Sequence, residues 1–250
     1  MNTARVGLRG DAVPAAFGSA AAAYDALVAL NPGYHRHLRE SARRMRLPDA
    51  GAGLRLLDAG CGTGASTAAL LAVAPSAEIV AVDASADMLY RARRKSWPPT
   101  VRFVHAPIEE LPGAAVRGPF DGIFAAYLIR NLADPDARLR AFRALLEPGG
   151  TLAVHEYSVR DSPPALAVWQ AVCWGVIIPA GFVTTGDSTL FQHLRRSVAA
   201  FDGVARFRRR LAEAGFAEVR EATMTGWQRR IVHTFVARSP ADPGRDRDGR

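Results

Sequence analysis

Leu56-Leu57-Asp58-Ala59-Gly60-Cys61-Gly62-Thr63-Gly64 is the stretch whose reading decides the fold. Its first residues continue a short apolar run, residues 54–59, that reads as a buried strand, and Gly60, Gly62 and Gly64 alternate through its second half. An alanine- and leucine-rich segment, 66–73, follows at once and reads as a helix. A strand that turns through glycines into a helix lets a nucleoside approach the backbone closely, because no side chain blocks it and unusual φ/ψ values are open. The helix starts near Ser66, so its amide dipoles face a ligand held in the turn.

Outward from this turn the pattern repeats. Residues 78–82 read as a second buried strand closed by Asp83, 86–95 as a helix, 100–105 as a third strand and Phe120–Ala126 as a fourth. A helix over 135–146 and a strand over 151–157 follow, then a helix over 204–214 and strands over Ala217–Thr223 and 231–238. Strands alternating with helices imply βαβ units. The expected fold is therefore α/β, a Rossmann-like, doubly wound, mostly parallel seven-stranded sheet with flanking helices. Residues 15–238 form the expected domain, opening with helices over 15–47 that Asn31-Pro32-Gly33 interrupts. Residues 1–14 read as a loose leader and 239–250 as a disordered tail.

One segment stands apart: residues 163–183 carry no charged side chain. They reach the ~20 residues a membrane span needs. Pro163, Pro164 and Pro179, with Gly175 and Gly181, are expected to break the segment, and its place inside an α/β series is wrong for a span. It reads as a partly helical lid over an apolar pocket, within an insert over 163–200, with membrane-surface contact as the second reading.

The 250 residues are 49% hydrophobic, which fits a globular domain with a substantial core. A net charge of +8 raises nucleic acid as a partner. Lys95 is the single lysine among 32 cationic side chains, and no aromatic-interleaved basic stripe accompanies them, so nucleic acid is set aside. The basic surface is either simply solvated or attracts an anionic lipid surface or acidic substrate, with Arg206 to Arg210 and Arg195-Arg196 as the clusters. Cys61 and Cys173 make no disulfide framework, and His35 and His37 point to different helix faces, so no metal is expected. No signal-peptide pattern opens the chain, which makes the cytoplasm the default, with peripheral membrane contact open.

Gly60-x-Gly62-x-x-Ala65 also satisfies the dinucleotide fingerprint, so glycines alone decide little. Asp58, just before them, suits an α-ammonium and would spoil a pyrophosphate site. The acid-x-Gly-x-Gly-x-Gly spacing is also tighter than the dinucleotide turn. Both features point to S-adenosylmethionine (SAM), with Asp83 placed to accept hydrogen bonds from ribose hydroxyls. The expected cofactor-binding residues are Asp58, Gly60, Cys61, Gly62, Thr63, Gly64, Asp83, Ala84, Met88, Ile108, Glu109 and Ala125.

The glycine loop, Asp83, Glu109-Glu110-Leu111-Pro112 and Glu147-Pro148-Gly149-Gly150-Thr151-Leu152 together resemble class-I SAM-dependent methyltransferases. The resemblance extends to the ubiquinone/menaquinone-biosynthesis C-methyltransferase family. Tyr24-Asp25 is similar to its N-terminal Tyr-Asp, Arg130-Asn131 to its Arg-Asn pair, and His155-Glu156-Tyr157-Ser158 to its Leu-Glu-Phe-Ser. Gly186-Asp187 with Phe191, Leu194, Ser197 and Val198, and Ala214-Gly215-Phe216, resemble its later motifs. One departure stands out: Ala106-Pro107-Ile108 replaces the family's Gly-Asp-Ala, whose Asp holds the adenine amino group.

The resemblance implies methyl transfer from SAM to a ring carbon of a lipophilic quinol or phenol. Arg130 and Asn131 are then expected to hold the ring oxygen, and His155 or Tyr24 to take its proton, His155 being nearer neutral pH. Glu156 either braces Arg130 or acts itself. The same residues would serve an O- or C-methyltransferase of secondary metabolism, and a non-catalytic SAM- or lipid-binding protein is the reading from another class. The expected partner is a small, hydrophobic aromatic molecule; a homodimer is left open.

Overall fold

A computed structural model describes residues 31–113 and 116–241. Seven strands form one sheet: β1 (Arg55–Ala59), β2 (Glu78–Asp83), β3 (Val101–His105), β4 (Phe120–Ala126), β5 (Leu146–Tyr157), β6 (Ala217–Thr223) and β7 (Val232–Arg238). Their order is β3-β2-β1-β4-β5-β7-β6. The first five run parallel, while β7 is antiparallel to both β5 and β6. Central strands buried on both faces are near-continuous apolar runs, as in Ile79-Val80-Ala81-Val82.

The helices are α1 (Tyr34–Arg44), α2 (Ala65–Leu71), α3 (Ala86–Arg93), α4 (Pro135–Leu145), α5 (Pro163–Val172), α6 (Ile178–Thr185), α7 (Thr189–Ala200) and α8 (Val204–Glu213). Leu38 and Ala42 from α1, Met45 at its C-terminal end and Leu70 from α2 pack on Leu56, Ile79 and Phe124 on one face of the sheet. Leu139 and Phe142 from α4 and Phe207 and Leu211 from α8 pack on Leu57, Val80 and Ile123 on the other. Caps start the helices where the sequence changes character: Asp134 accepts from the Ala137 amide at 2.9 Å, and Ser85 from that of Met88 at 3.3 Å.

Two expectations need correction. Residues 163–185 do not break at their prolines. They form one continuous helix in which α5 and α6 are joined by a π-turn, Cys173–Ile177. Pro163 and Pro164 occupy its first turn, where a missing N–H is harmless, and the wider i→i+5 turn accommodates Pro179. The second concerns only where the tail begins: Ser239 is still tied to the sheet, its N–H donating to Gly150 at 2.8 Å and its carbonyl accepting from Gly149 at 3.1 Å. The expected leader and the rest of the expected tail, 242–250, lie outside the described residues.

The helix Pro163–Thr185 is long and apolar enough to cross a bilayer. Its inner side instead packs on the domain, through Ala165, Trp169, Cys173 and Ile178 against Tyr157, Val159 and Val232. Its outer side leaves Val168, Trp174, Phe182 and Val183 exposed.

Candidate functional site

The sheet reverses its winding between β1 and β4, and in open α/β sheets ligands bind beyond the carboxyl ends of strands at such a point. A cavity of about 510 Å³ opens there. Gly60, Gly62, Asp83, Ala84 and Met88 line one end, with Ile108 and Glu109 beside them. At Gly62, φ is +54° and an added Cβ would meet no atom within 4 Å, so the backbone borders open space. Asp83 is fixed at the tip of β2: its Oδ2 accepts from the Gly62 amide and its Oδ1 from the Ser85 amide, both at 2.8 Å. Burial pushes its carboxyl up, against the pull of those amides.

Asp58, Cys61, Thr63, Gly64 and Ala125 are not brought to the cavity surface. Asp58 is fully buried beneath the turn, where its Oδ2 accepts from Thr67 Oγ1 at 2.6 Å and Ser66 Oγ at 2.8 Å. Burial pushes it up to about 7. Through Oδ2 it ties β1 to the start of α2 beneath the glycine turn, while its Oδ1 has no hydrogen-bond partner among the described residues. Cys61 is buried, and its thiol is pushed well up for the same reason.

The middle of the cavity is a band of aromatic rings. Tyr127, just past β4, lies 5.7 Å from Tyr34 in a stack and 4.9 Å from Tyr157, which meets Trp169 at 4.8 Å. Tyr127 holds φ +55°, an uncommon value for a non-glycine residue. Arg130 and Asn131 clamp that turn, donating to the Tyr127 carbonyl at 3.2 and 3.0 Å. Arg130 also pairs with the fully buried Glu156 at 2.6 Å and lies over the Tyr157 ring at 5.3 Å. Glu156 therefore braces Arg130; burial raises its carboxyl, and the guanidinium pulls the other way. Asn131 Oδ1 is buried with no hydrogen-bond partner among the described residues.

His155 is not brought into the cavity. It is wholly buried behind Tyr127, with Nε2 3.0 Å from the Tyr127 hydroxyl and Nδ1 2.6 Å from Ser41 Oγ. Burial lowers its pKa to about 3, so it is neutral at physiological pH and too weak a base to take the substrate proton. Tyr24 lies outside the described residues. The lid closes the far end through Val176, Ile177 and Ala180, with Phe191 and Leu194 of α7.

A methyltransferase family model, the ubiE/COQ5 methyltransferase family, matches residues 5–234. The chain belongs to that family. A ubiquinone/menaquinone biosynthesis C-methyltransferase of Rhizobium johnstonii is 35% identical over 136 residues, 54% of this chain and 52% of the relative. The chain thus spans about half the length of the curated relatives it matches. Among solved structures, the [4+2]-cyclase SpnF superposes with a TM-score of 0.69 at 16% identity, covering 95% of this chain and 98% of that one. A SAM-dependent methyltransferase of Thermotoga maritima does so at 0.62 and 16%, covering 91% and 99%. At these identities the likeness shows the fold, a Rossmann-like methyltransferase sheet.

Sequence reasoning missed Tyr127, Tyr34 and Trp227, all of which line the cavity. Tyr127 had one usable signal, its place at the carboxyl end of a central strand, next to the strand reversal.

Proposed function

We propose that this chain is a SAM-dependent methyltransferase acting on a ring carbon of a lipophilic quinol or related phenol. One observation carries the reading: a single cavity joins the glycine turn and Asp83 to an apolar chamber under the lid, with Arg130 and Asn131 between them. The residues at the first end suit SAM. Asp83 offers carboxylate oxygens to ribose hydroxyls, Gly60 and Gly62 leave the backbone bare for the methionine portion, and Met88 and Ile108 offer apolar walls to adenine. The unpartnered Asn131 Oδ1 suits a hydroxyl on the acceptor ring.

SAM supplies an electrophilic methyl group; the protein's part is positioning and the handling of charge. A phenolic ring carbon becomes a good nucleophile as the neighbouring hydroxyl gives its proton to water, and the Arg130 guanidinium, which lines the same cavity, would stabilise the resulting oxyanion; methyl transfer then releases S-adenosylhomocysteine, and the ring carbon's own proton leaves to water. The Arg130–Glu156 pair fixes the guanidinium so that it need not reorganise during the reaction. The curated relatives are named for C-methylation in quinone biosynthesis, and the quinol reading comes from them.

The outer face of the lid supports a second element of this reading: a cytoplasmic enzyme that touches the membrane surface where its acceptor resides. Trp174 is 57% exposed, Phe182 57% and Val183 83%, and Arg195 stacks over Trp174 at 4.9 Å. Exposed aromatics beside arginine suit the headgroup boundary.

Calorimetric titration with SAM followed by an assay with a demethylated polyprenyl quinol tests the proposal. SAM binding, S-adenosylhomocysteine release and a methylated ring carbon by mass spectrometry are expected. SAM binding with turnover only of soluble phenols removes the quinol; absence of SAM binding removes the methyltransferase. Co-sedimentation with anionic vesicles, lost on joint Trp174→Ser and Phe182→Ser substitution, is the expected result for the membrane element.

A further inference from the structure

We infer that Arg138 is a positioning residue for the cofactor: from α4 it grips two carbonyls of the turn that walls the SAM end of the cavity, and so sets where Ile108 and Glu109 stand. Its Nη1 donates to the Leu111 carbonyl at 2.6 Å and its Nη2 to the Glu109 carbonyl at 2.7 Å. Both carbonyls lie at the end of a single 3₁₀ turn, Ile108–Glu110, whose Ile108 and Glu109 line the cavity.

The turn is short of bonds for a reason written in the sequence. Two of its own close it: the Glu110 N–H donates to the Pro107 carbonyl at 3.1 Å and the Leu111 N–H to the Ile108 carbonyl at 3.2 Å. The next bond in that series would run to the Glu109 carbonyl from residue 112, which is proline and has no N–H. The last carbonyls of a helical turn need partners from outside it, and a cation suits the negative end of its dipole. Arg138 meets both needs. A guanidinium is a planar fork of donors, so one side chain spans two carbonyls and fixes them relative to each other. Glu109 and Asp134 supply negative charge around it.

The wall is thus held at both its ends. At the front, the Ala106 N–H donates to the Asp83 carbonyl at 3.1 Å, which ties the segment to the tip of β2. At the back, Arg138 reaches across 27 and 29 positions of sequence to hold it against α4. Between these ties stands Pro107, whose side chain offers a ligand no hydrogen bond. The wall meets the cofactor with the apolar Ile108 and with backbone, and such contacts depend on where the wall is. A wall already in place has no ordering cost to meet when the ligand arrives.

The inference rests on the reading that this end of the cavity holds SAM, and it deepens that reading. Arg138 acts through the turn and does not itself line the cavity, so its effect belongs to cofactor affinity and not to the chemical step.

The test pairs calorimetry with amide exchange by NMR on the full-length protein. Arg138→Met keeps the aliphatic stem and removes the fork. The Kd values of SAM and S-adenosylhomocysteine should both rise about 10-fold, with kcat at saturating SAM and KM for the acceptor unchanged. Equal loss is the signature of the wall, since both ligands carry the adenosine. A guanidinium acting only as a charge would discriminate between them: SAM alone carries the sulfonium, so removing a cation would tighten SAM relative to S-adenosylhomocysteine. That result, or unchanged Kd values, overturns the proposal. In the ligand-free variant the Glu110 and Leu111 amides should exchange faster while those of β1 and β2 do not; unchanged exchange at both overturns the grip. Arg138→Lys, with a donor but no fork, should fall between wild type and Arg138→Met, and wild-type behaviour in it overturns the two-point hold. If Arg138→Met does not fold, the same comparison is read from Arg138→Lys. Wild-type protein that binds neither ligand sinks the methyltransferase reading and the role of Arg138 with it; wild-type binding with unaltered variants sinks the role of Arg138 alone.

Discussion

The two ends of the cavity are built in different ways. The glycine end is made of backbone: Gly60, Gly62 and the tip of β2, consecutive in sequence or one βαβ unit apart, with side chains cleared away. The acceptor end is made of side chains from elements far apart in sequence. Tyr34, Tyr127, Arg130, Tyr157, Phe191 and Trp227 line it, and Tyr34 and Trp227 are 193 positions apart. A backbone site depends on a local turn and tolerates change around it. A side-chain site inherits the stability of everything that holds its members, so damage there reaches the fold as well as the chemistry.

The largest effects should separate these ends by stability. Trp169→Ala empties a wholly buried site under the lid and should cost about 3–5 kcal/mol in urea unfolding. Glu156→Ala leaves Arg130, 3% exposed, without its counter-charge and should cost a similar 3–5 kcal/mol. If either variant unfolds like the wild type, the acceptor end is not structurally coupled as described.

Gly62→Ala sharpens the comparison from the other side. The new methyl points into open space at φ +54°, so the fold should lose only the ~1–2 kcal/mol of a left-handed alanine. SAM affinity should fall at least about 10-fold by calorimetry, because the methyl occupies the space that close backbone approach requires. Gly64→Ala differs: its Cβ would lie 2.7 Å from Trp97, so its damage should appear as stability loss greater than that of Gly62→Ala. Equal unfolding of the two would remove the distinction between a ligand-facing and a packing glycine.

A smaller effect appears in pH. The folded pKa of His155, about 3, lies below its ordinary value of 6.5. The stability associated with its neutral form is therefore fully present above pH 6.5 and is lost as pH falls through that window toward 3. His155→Leu should flatten the decline between pH 6.5 and 3 by about one proton's worth of uptake on unfolding, measured by urea titrations at stepped pH. A variant as acid-sensitive as the wild type there would mean His155 is not the group responsible. The smallest effect belongs to Trp174→Ser: the residue is 57% exposed, so unfolding should shift by under about 0.5 kcal/mol, in contrast with Trp169 on the same helix.

What could be read from sequence follows the same division. The alternation of strands and helices, the glycine turn, Asp83 and the Arg130-Asn131 pair are local signals, and the structure places them around one cavity. Asp58 was expected to face a ligand. Nothing in the period of β1 says that Ser66 and Thr67, at the start of the next helix, would take one of its two carboxylate oxygens. His155 was expected to act as a base because histidine titrates near neutrality, but its burial depends on α1 and β7 closing over it. Tyr127 escaped notice because the partners of its side chain, His155, Tyr157 and Tyr34, lie 28 residues away or more along the chain. The lid's continuity was hidden because three prolines and two glycines ordinarily end a helix, and a π-turn leaves no plain mark in sequence.

That turn also bears on how such a lid could change over evolutionary time. The inward positions of the long helix run Ala165, Trp169, Cys173, then Ile178 and Gly181, so the interval across the turn is five residues instead of three or four. A π-turn is what a single-residue insertion into an α-helix leaves behind: the downstream half is rotated while both ends stay hydrogen-bonded. Removing one residue from Cys173–Ile177 would therefore turn α6 about its own axis by roughly 100°, the angle one residue subtends in an α-helix. The caps, the sheet and the glycine turn would stay where they are, while a different set of side chains faced the chamber. Lid specificity can thus be re-indexed by a single codon gained or lost.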